Sequence, residues 1–431
     1  MKRQVLSIFL ASLYAISFAQ TDSLQQKDFQ FSFLYPLGTD GHNSIKNSYN
    51  VSLNLFMGQT GATESFEAGS FLNINKYYTN GAQLSGFINI TGTKNLQNDY
   101  TSKGFQGAGF VNVNNTSVDG AQIAGFVNTA NKTLTGAQIG GFINYTTQSM
   151  NGVQVAGFVN VDAKGSSRAQ VAGFVNHTPH NNGAQIAGFI NNTSVTKKGA
   201  QIAGFVNTSA QTDTATQVAG FINVAAKGNT NAQIAGFINV ADKVEGLQLA
   251  GFINVCDSID GVPIALISIV RKNGFRAFEV SASDWSIAQA SFKLGVQHFY
   301  SVYILSKLPD ESSRWAIGAG FGHQSNLKNN WKVNLEATVH QELWIDDDRA
   351  DKFLYMDRTN LVNQLKFGIG IPIGTFATLN IAPTFNVGVA KRTSEPLGDN
   401  LQPHWNSTLS SHNVGNKRLS TWFGFSTGIQ F

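Results

Sequence analysis

The side chains best suited to chemistry in this 431-residue chain are few and scattered. Asp346, Asp347 and Asp348, with Asp351, offer hard carboxylate oxygens of the kind Ca²⁺ prefers, but without the glycine-spaced loop of an EF-hand they read as a solvated loop. Of the eight histidines, none forms an H-x-x-x-H or HExxH pair, and His177 and His180 fall in a polar turn, so no metal site is expected. His298, His323, His340 and His412 could each be drafted into a His–Ser–Asp hydrolase at the rim of a barrel, yet no G-x-S-x-G or comparable motif is expected to accompany them. His340 stands on the polar side of an alternating strand, which explains it without catalysis. A glycan-cleaving site needs two carboxylates across a groove; here the repeated strands carry Gln and Asn, with Glu67 the one exception. The single Cys256 cannot form an internal disulfide and sits beside a repeated strand, where it reads as a small structural residue. The expectation is a protein with no catalytic residues, no metal and no cofactor.

Elements must therefore carry the function. At the N-terminus Lys2 and Arg3 precede an apolar stretch from Val5 to Phe18, and Ser17-Phe18-Ala19 has the small-x-small form that signal peptidase cuts. Residues 1–19 read as a cleaved export signal. Removing Lys2 and Arg3 from a formal net charge of +4 leaves about +2, too little to argue for nucleic acid. Only 13% of residues are charged, so the surface is not that of an ordinary soluble domain, which runs near ~25%. After the signal no apolar run approaches the ~18 residues of a membrane helix; a membrane-spanning form would have to be a closed barrel.

The motif G-x-Q-[IVL]-A-G-F-[IV]-N recurs from residue 67 to about 255. Its Phe falls at 71, 87, 110, 126, 142, 158, 174, 189, 205, 221, 237 and 252, spaced by 15 or 16 except for one 23-residue step. An Asn follows two residues after each Phe; Gln stands four before it in eleven copies, with Glu67 in the first. Gly261-Val262-Pro263-Ile264 is a degenerate thirteenth copy that closes the array. Gln122–Asn128 alternates with period two, the signature of a strand, and the rest of the unit is polar and turn-rich. Identical strands stacked parallel at ~4.8 Å put Phe on Phe and Asn on Asn, a physical reason for one residue type to recur in register. That predicts a β-solenoid. The alternative is that each copy is one antiparallel strand of a very large barrel. Within the solenoid, Phe and Ile/Val are expected to fill the core while the amide ladders satisfy one another, so that Phe158→Asp would bury a charge. The polar return half of each coil is too small to cover both strand faces, however, and an exposed apolar stripe marks an interaction surface.

Outside the array, apolar and polar residues alternate again: Trp331, Val333, Leu335, Ala337 and Val339 interleave with polar residues, and Phe423, Phe425, Ile429 and Phe431 end the chain the same way. Such strands fit an outer-membrane barrel. Ten are expected, at about 29–35, 49–56, 275–282, 287–296, 299–306, 315–323, 331–343, 361–371, 376–389 and 420–431. The expected architecture is all-β: a solenoid of 12–13 sixteen-residue repeats over 58–270, inserted in an antiparallel barrel whose first two strands lie in 20–57 and the rest in 271–431. Strand parity puts the array on the periplasmic side, with the long connections 36–48, 344–360 and 390–419 outside.

The tandem GxQxAGFxN units at Gln122–Asn128 and its copies, the closing Gly261–Ile264 and the following Phe275–Ser281 together resemble the surface-repeat proteins of Gram-negative bacteria. The resemblance covers most of the mature chain. It implies an outer-membrane or surface location and carries over no activity. The expected function is a non-enzymatic outer-membrane scaffold whose repeats offer a binding or structural surface; a channel lined or plugged by the repeats is the alternative. The expected partners are outer-membrane lipid and a protein or polysaccharide on the repeat face.

Overall fold

A computed structural model of the protein describes residues 24–93, 99–309, 314–344, 360–391 and 408–431. The export signal at 1–19 and the aspartates at 346–351 lie outside the described residues. The chain divides into two compact units, residues 1–179 and 180–431. The first is built of solenoid coils, and the second holds further coils and the barrel.

Each repeat makes one coil of two strands joined by a bend. Ser117–Ala124 and Val127–Ala130 form one such coil, Thr133–Gly140 and Ile143–Thr146 the next. Coils pair parallel and in register: Gln138 lies beside Gln122, and Asn144 beside Asn128. Antiparallel strands of one large barrel cannot give that register, so the stacked solenoid is the architecture. The glycine before Phe in the eleven copies after the first, where Ser70 stands instead, is fixed by sterics. A Cβ on Gly141 would stand 1.9 Å from the carbonyl oxygen of Gly125 in the coil below, so only glycine allows the bends to stack.

Three expectations are corrected. The segments assigned to the first two barrel strands are solenoid coils: Gln25–Leu34 pairs parallel with Asn47–Gly69, Phe31 beside Leu53. Among the described residues the solenoid therefore begins at Gln25 and precedes the barrel instead of being inserted in it. The second correction concerns the core. Gln122, Ala124 and Asn128 point inward, whereas Ile123 and Phe126 are 39% and 38% exposed. Strict alternation would have put Phe126 beside Gln122 and Asn128, but the Gly125-Phe126 bend interrupts the strand and turns the ring out. Phe158, likewise 39% exposed, is not a core residue, and an Asp there would not be a buried charge.

The barrel comprises eight strands, Phe275–Ser283, Ala288–Val296, Phe299–Lys307, Arg314–Asn326, Lys332–Trp344, Asn360–Ile373, Ala377–Lys391 and Lys417–Gln430. Neighbours are antiparallel, and Phe275–Ser283 pairs with Lys417–Gln430 to close the sheet. Closure leaves no free edge among these eight. The stretch expected as one long loop at 390–419 instead contains the strand Thr408–Val414, which extends as a hairpin on the last barrel strand. No helix among the described residues is long and apolar enough to cross a membrane.

Candidate functional site

Two amide ladders run through the coils. Gln138 Nε2 donates to Gln122 Oε1 at 2.8 Å, and Gln154 Nε2 to Gln138 Oε1 at 2.8 Å. Asn128 Nδ2 donates to Asn144 Oδ1 at 2.9 Å, and Asn144 Nδ2 to Asn160 Oδ1 at 3.0 Å. Donation thus runs toward the N-terminus in the Gln ladder and toward the C-terminus in the Asn ladder, so the two chains of amide dipoles oppose each other. Backbone carbonyls fix each amide's orientation: Asn144 Nδ2 also reaches Val155 O at 2.7 Å, and Gln122 Nε2 reaches Thr129 O at 3.3 Å. Such networks hold a polar core together only when every member is satisfied. The second unit repeats the pattern, with Gln217 on Gln201 and Asn207 on Asn223.

Each ladder has a distinct first rung. Glu67 replaces Gln and only accepts, from Gln83 Nε2 at 2.8 Å and Asn54 Nδ2 at 3.0 Å. Its full burial pushes the carboxyl from an ordinary 4.5 up to about 7, against the amide and hydroxyl donors that hold it down. Asn54 starts the Asn ladder by donating to Asn73 Oδ1 at 2.9 Å. It stands two residues before Phe56 instead of two after, and its side chain occupies the space a Cβ on Gly58 would need. The stacking of Phe56 on Phe71 was the available sequence clue to this extra coil, an F fifteen residues ahead of the first motif. At the far end Gln248 meets Pro263, which offers no amide, so the Gln ladder stops and Gln248 Oε1 is left without a donor.

Outside the coil, the Phe rings form a ladder of their own. Phe126, Phe142, Phe158 and Phe174 stack at 4.9 Å within 1° of parallel; Phe189, Phe205, Phe221 and Phe237 do the same within 4°. Within the run each ring stacks on both neighbours, and rings such as Phe126, Phe158, Phe205 and Phe237 remain 37–39% exposed. Beside the rings run Ile and Val side chains exposed to a similar degree, such as Ile139 and Ile202 at 44%. A shallow apolar groove of about 640 Å³ opens in the first unit where Gly107 takes the Ile/Val position, bordered by Phe31, Leu55, Leu84 and Phe105.

The barrel is inverted relative to a soluble one. Phe278, Phe292, Leu305, Phe367 and Phe425 face outward and are roughly half exposed, while Glu279, Lys293, Glu336 and Lys366 face inward and are buried. Lys293 Nζ donates to Glu279 at 2.7 Å and to Glu336 at 2.6 Å, and Lys366 Nζ reaches Glu279 at 2.7 Å. Tyr300 OH donates to Glu336 at 2.8 Å and Asn380 Nδ2 to Glu279 at 2.7 Å. Toward the other end Trp285, Leu308, Val362 and Trp422 cluster in the bore, with Arg314 paired to Glu342. Two carboxylates and two ammonium groups balance in charge, and an eight-stranded barrel is narrow enough for such inward side chains and the aromatic layer to fill.

The histidines do not converge. His298 Nε2 lies 2.9 Å from Gly261 O, His412 is on the exposed hairpin, and His340 is buried against Trp285 with Nε2 2.9 Å from Thr338 Oγ1. His323 Nε2 does meet Ser325 Oγ at 2.7 Å, but its Nδ1 faces the His298 carbonyl rather than a carboxylate, and the pair is exposed. Gly424-Phe425-Ser426-Thr427-Gly428 spells G-x-S-x-G, contrary to the expectation that no such motif occurs. It lies mid-strand with Ser426 buried, not on the strand-to-helix turn that presents a nucleophile. His177 lies in a strand and His180 is exposed. Cys256 is buried, and burial pushes its thiol up to about 12, which suits packing rather than reactivity. No group of three or more metal-ligating residues occurs among the described residues.

Fold and site together define an amide-cored parallel solenoid followed by an antiparallel barrel with a polar, filled bore. No protein-family model, curated protein or solved structure matches the chain.

Proposed function

We propose that this chain is a non-enzymatic outer-membrane protein in which the barrel is the anchor and the solenoid is a scaffold offering a binding surface. The inverted barrel carries the reading. Outward Phe, Leu, Ile and Val on every side, with buried Glu and Lys inside, is the arrangement that lipid outside a closed sheet favours and water disfavours. The strands of nine to fifteen residues are long enough to cross a hydrocarbon core. Trp331, Phe376 and Phe431 are exposed at one end, as aromatic residues at a membrane interface are. The export signal expected at 1–19 fits the same destination.

The filled bore favours an anchor over a channel. Reconstituted into a planar bilayer, the full chain should give no stable single-channel steps; reproducible conductance that disappears when the solenoid is altered would make it a pore. The solenoid enters the barrel at the end bearing the short turns 297–298, 327–331 and 374–376 and the C-terminus. In outer-membrane barrels that end faces the periplasm. A thiol placed by Lys197→Cys in a Cys256→Ser background should then escape an impermeant reagent on intact cells, and labelling would put the array at the cell surface.

A further inference from the structure

We infer that the exposed apolar face of the coils in residues 180–431 is an interface with a second copy of this chain, the two solenoids standing side by side in parallel. The inference rests on the anchored reading above and names the partner of its surface.

Three observations select this occupant. The face carries no charge: Gly183–Asn191, Gly199–Asn207, Thr216–Asn223, Ala232–Asn239 and Leu247–Asn254 contain no Asp, Glu, Lys or Arg, while Lys197, Lys227, Asp242 and Glu245 lie on other parts of the coils. Depletion of charge is what the centre of a protein interface shows and what a free surface does not. The face is also large enough. Phe237 and Ile234 are 37% and 36% exposed; with an aromatic side chain near ~200 Å², each rung offers roughly 120 Å². Five rungs, Phe189 to Phe252, give about 600 Å² per copy, so a pair buries ~1,200 Å², at the threshold for a stable interface. Residues 1–179 carry the same rows. Finally, the regular rungs make the face self-complementary, since each row of Phe and Ile in one copy lies against the same row of an identical neighbour.

Lipid and sugar fit less well. The last coil rests on the end of the barrel: Val270 and Ile259 pack with Val296 and Phe299, and Ser301 Oγ donates to Ala265 O at 3.0 Å. Earlier coils rise from there by ~4.8 Å each, carrying most of the face clear of any bilayer that holds the barrel. A sugar polymer stacks on ring faces, and these faces stack on neighbouring rings at 4.9 Å. Two copies anchored in one bilayer stand the same way up. The two-fold axis then runs along the stack, and each rung meets its own counterpart.

The test uses full-length protein in detergent, with Cys256→Ser and a single new thiol by Ile186→Cys or by Ile234→Cys, three rungs apart. Under mild oxidation both variants should form disulfide-linked dimers, and Ile202→Lys with Ile234→Lys should raise the dimer dissociation constant at least tenfold while the circular dichroism of the β-sheet is kept. Cross-linking at one position only would mean antiparallel pairing and would overturn the inference. So would a monomer at all concentrations in multi-angle light scattering, or a monomer that instead co-sediments with purified peptidoglycan sacculi. None of these failures alters the conductance result, which tests the anchor separately.

Discussion

Glu67 concentrates the energetics of the solenoid in one side chain. As the first rung of the Gln ladder it needs no donor of its own, since Gln83 and Asn54 both point their amides at it. Its carboxyl ionises near 7 in the folded chain and near 4.5 when unfolded, so the folded state binds the proton more tightly. Stability is therefore greatest below about 4.5, falls as pH rises to about 7, and then levels, a loss on the order of 3 kcal/mol. Glu67→Gln should remove that loss, so that urea titrations of the detergent-solubilised chain at pH 5 and pH 8 converge for this site; an unchanged pH slope would refute the assignment. The recurring Gln and Asn were legible in the sequence, but which way they faced was not. Period-two counting across Gln122–Asn128 puts Phe126 on the amide side: the recurrent Gly before Phe suggests a bend or a close backbone approach, but only the structure shows that the bend turns the ring out. Asn54 was missed for a related reason: it reaches the Asn ladder from the other side of the bend.

Among elements, the solenoid and the barrel share one pattern, and this is why the sequence at 29–35 and 49–56 reads as barrel strands. A solenoid with an apolar core would show the opposite exposure. Here amides and hydroxyls line most of the core beside small apolar clusters such as Val118, Ala130, Leu134 and Met150, so coil strands read apolar-out and polar-in, as barrel strands do. Phe29, Phe31 and Phe33 are exposed while Gln30 and Ser32 are buried, and only the parallel pairing tells the two apart. The eight barrel strands after residue 271 were legible because apolar and polar residues alternate along them. Stacked coils make a further demand on length. Deleting Thr129–Asn144 should leave Gln154 facing Gln122 and Asn160 facing Asn128, with melting within about 4 °C of the parent. Deleting only Ala137–Asn144 leaves half a coil and should abolish the cooperative transition in circular dichroism. If both deletions behave alike, register is not what holds the array.

For the molecule as a whole, the proposal reduces to what touches the outside of the barrel. The buried Glu279, Lys293, Glu336 and Lys366 satisfy one another within the bore, leaving Phe278, Phe292, Phe367 and Phe425 with no protein to cover them. A contiguous apolar belt of that extent is far above what water tolerates on a free surface. The decisive measurement places a polarity-sensitive fluorophore at Phe367→Cys in the Cys256→Ser background and reconstitutes the full chain into phosphatidylcholine vesicles. An anchored barrel gives apolar emission that brominated acyl chains quench and aqueous iodide does not; emission quenched by iodide and untouched by bromolipid would mean the belt never meets the membrane.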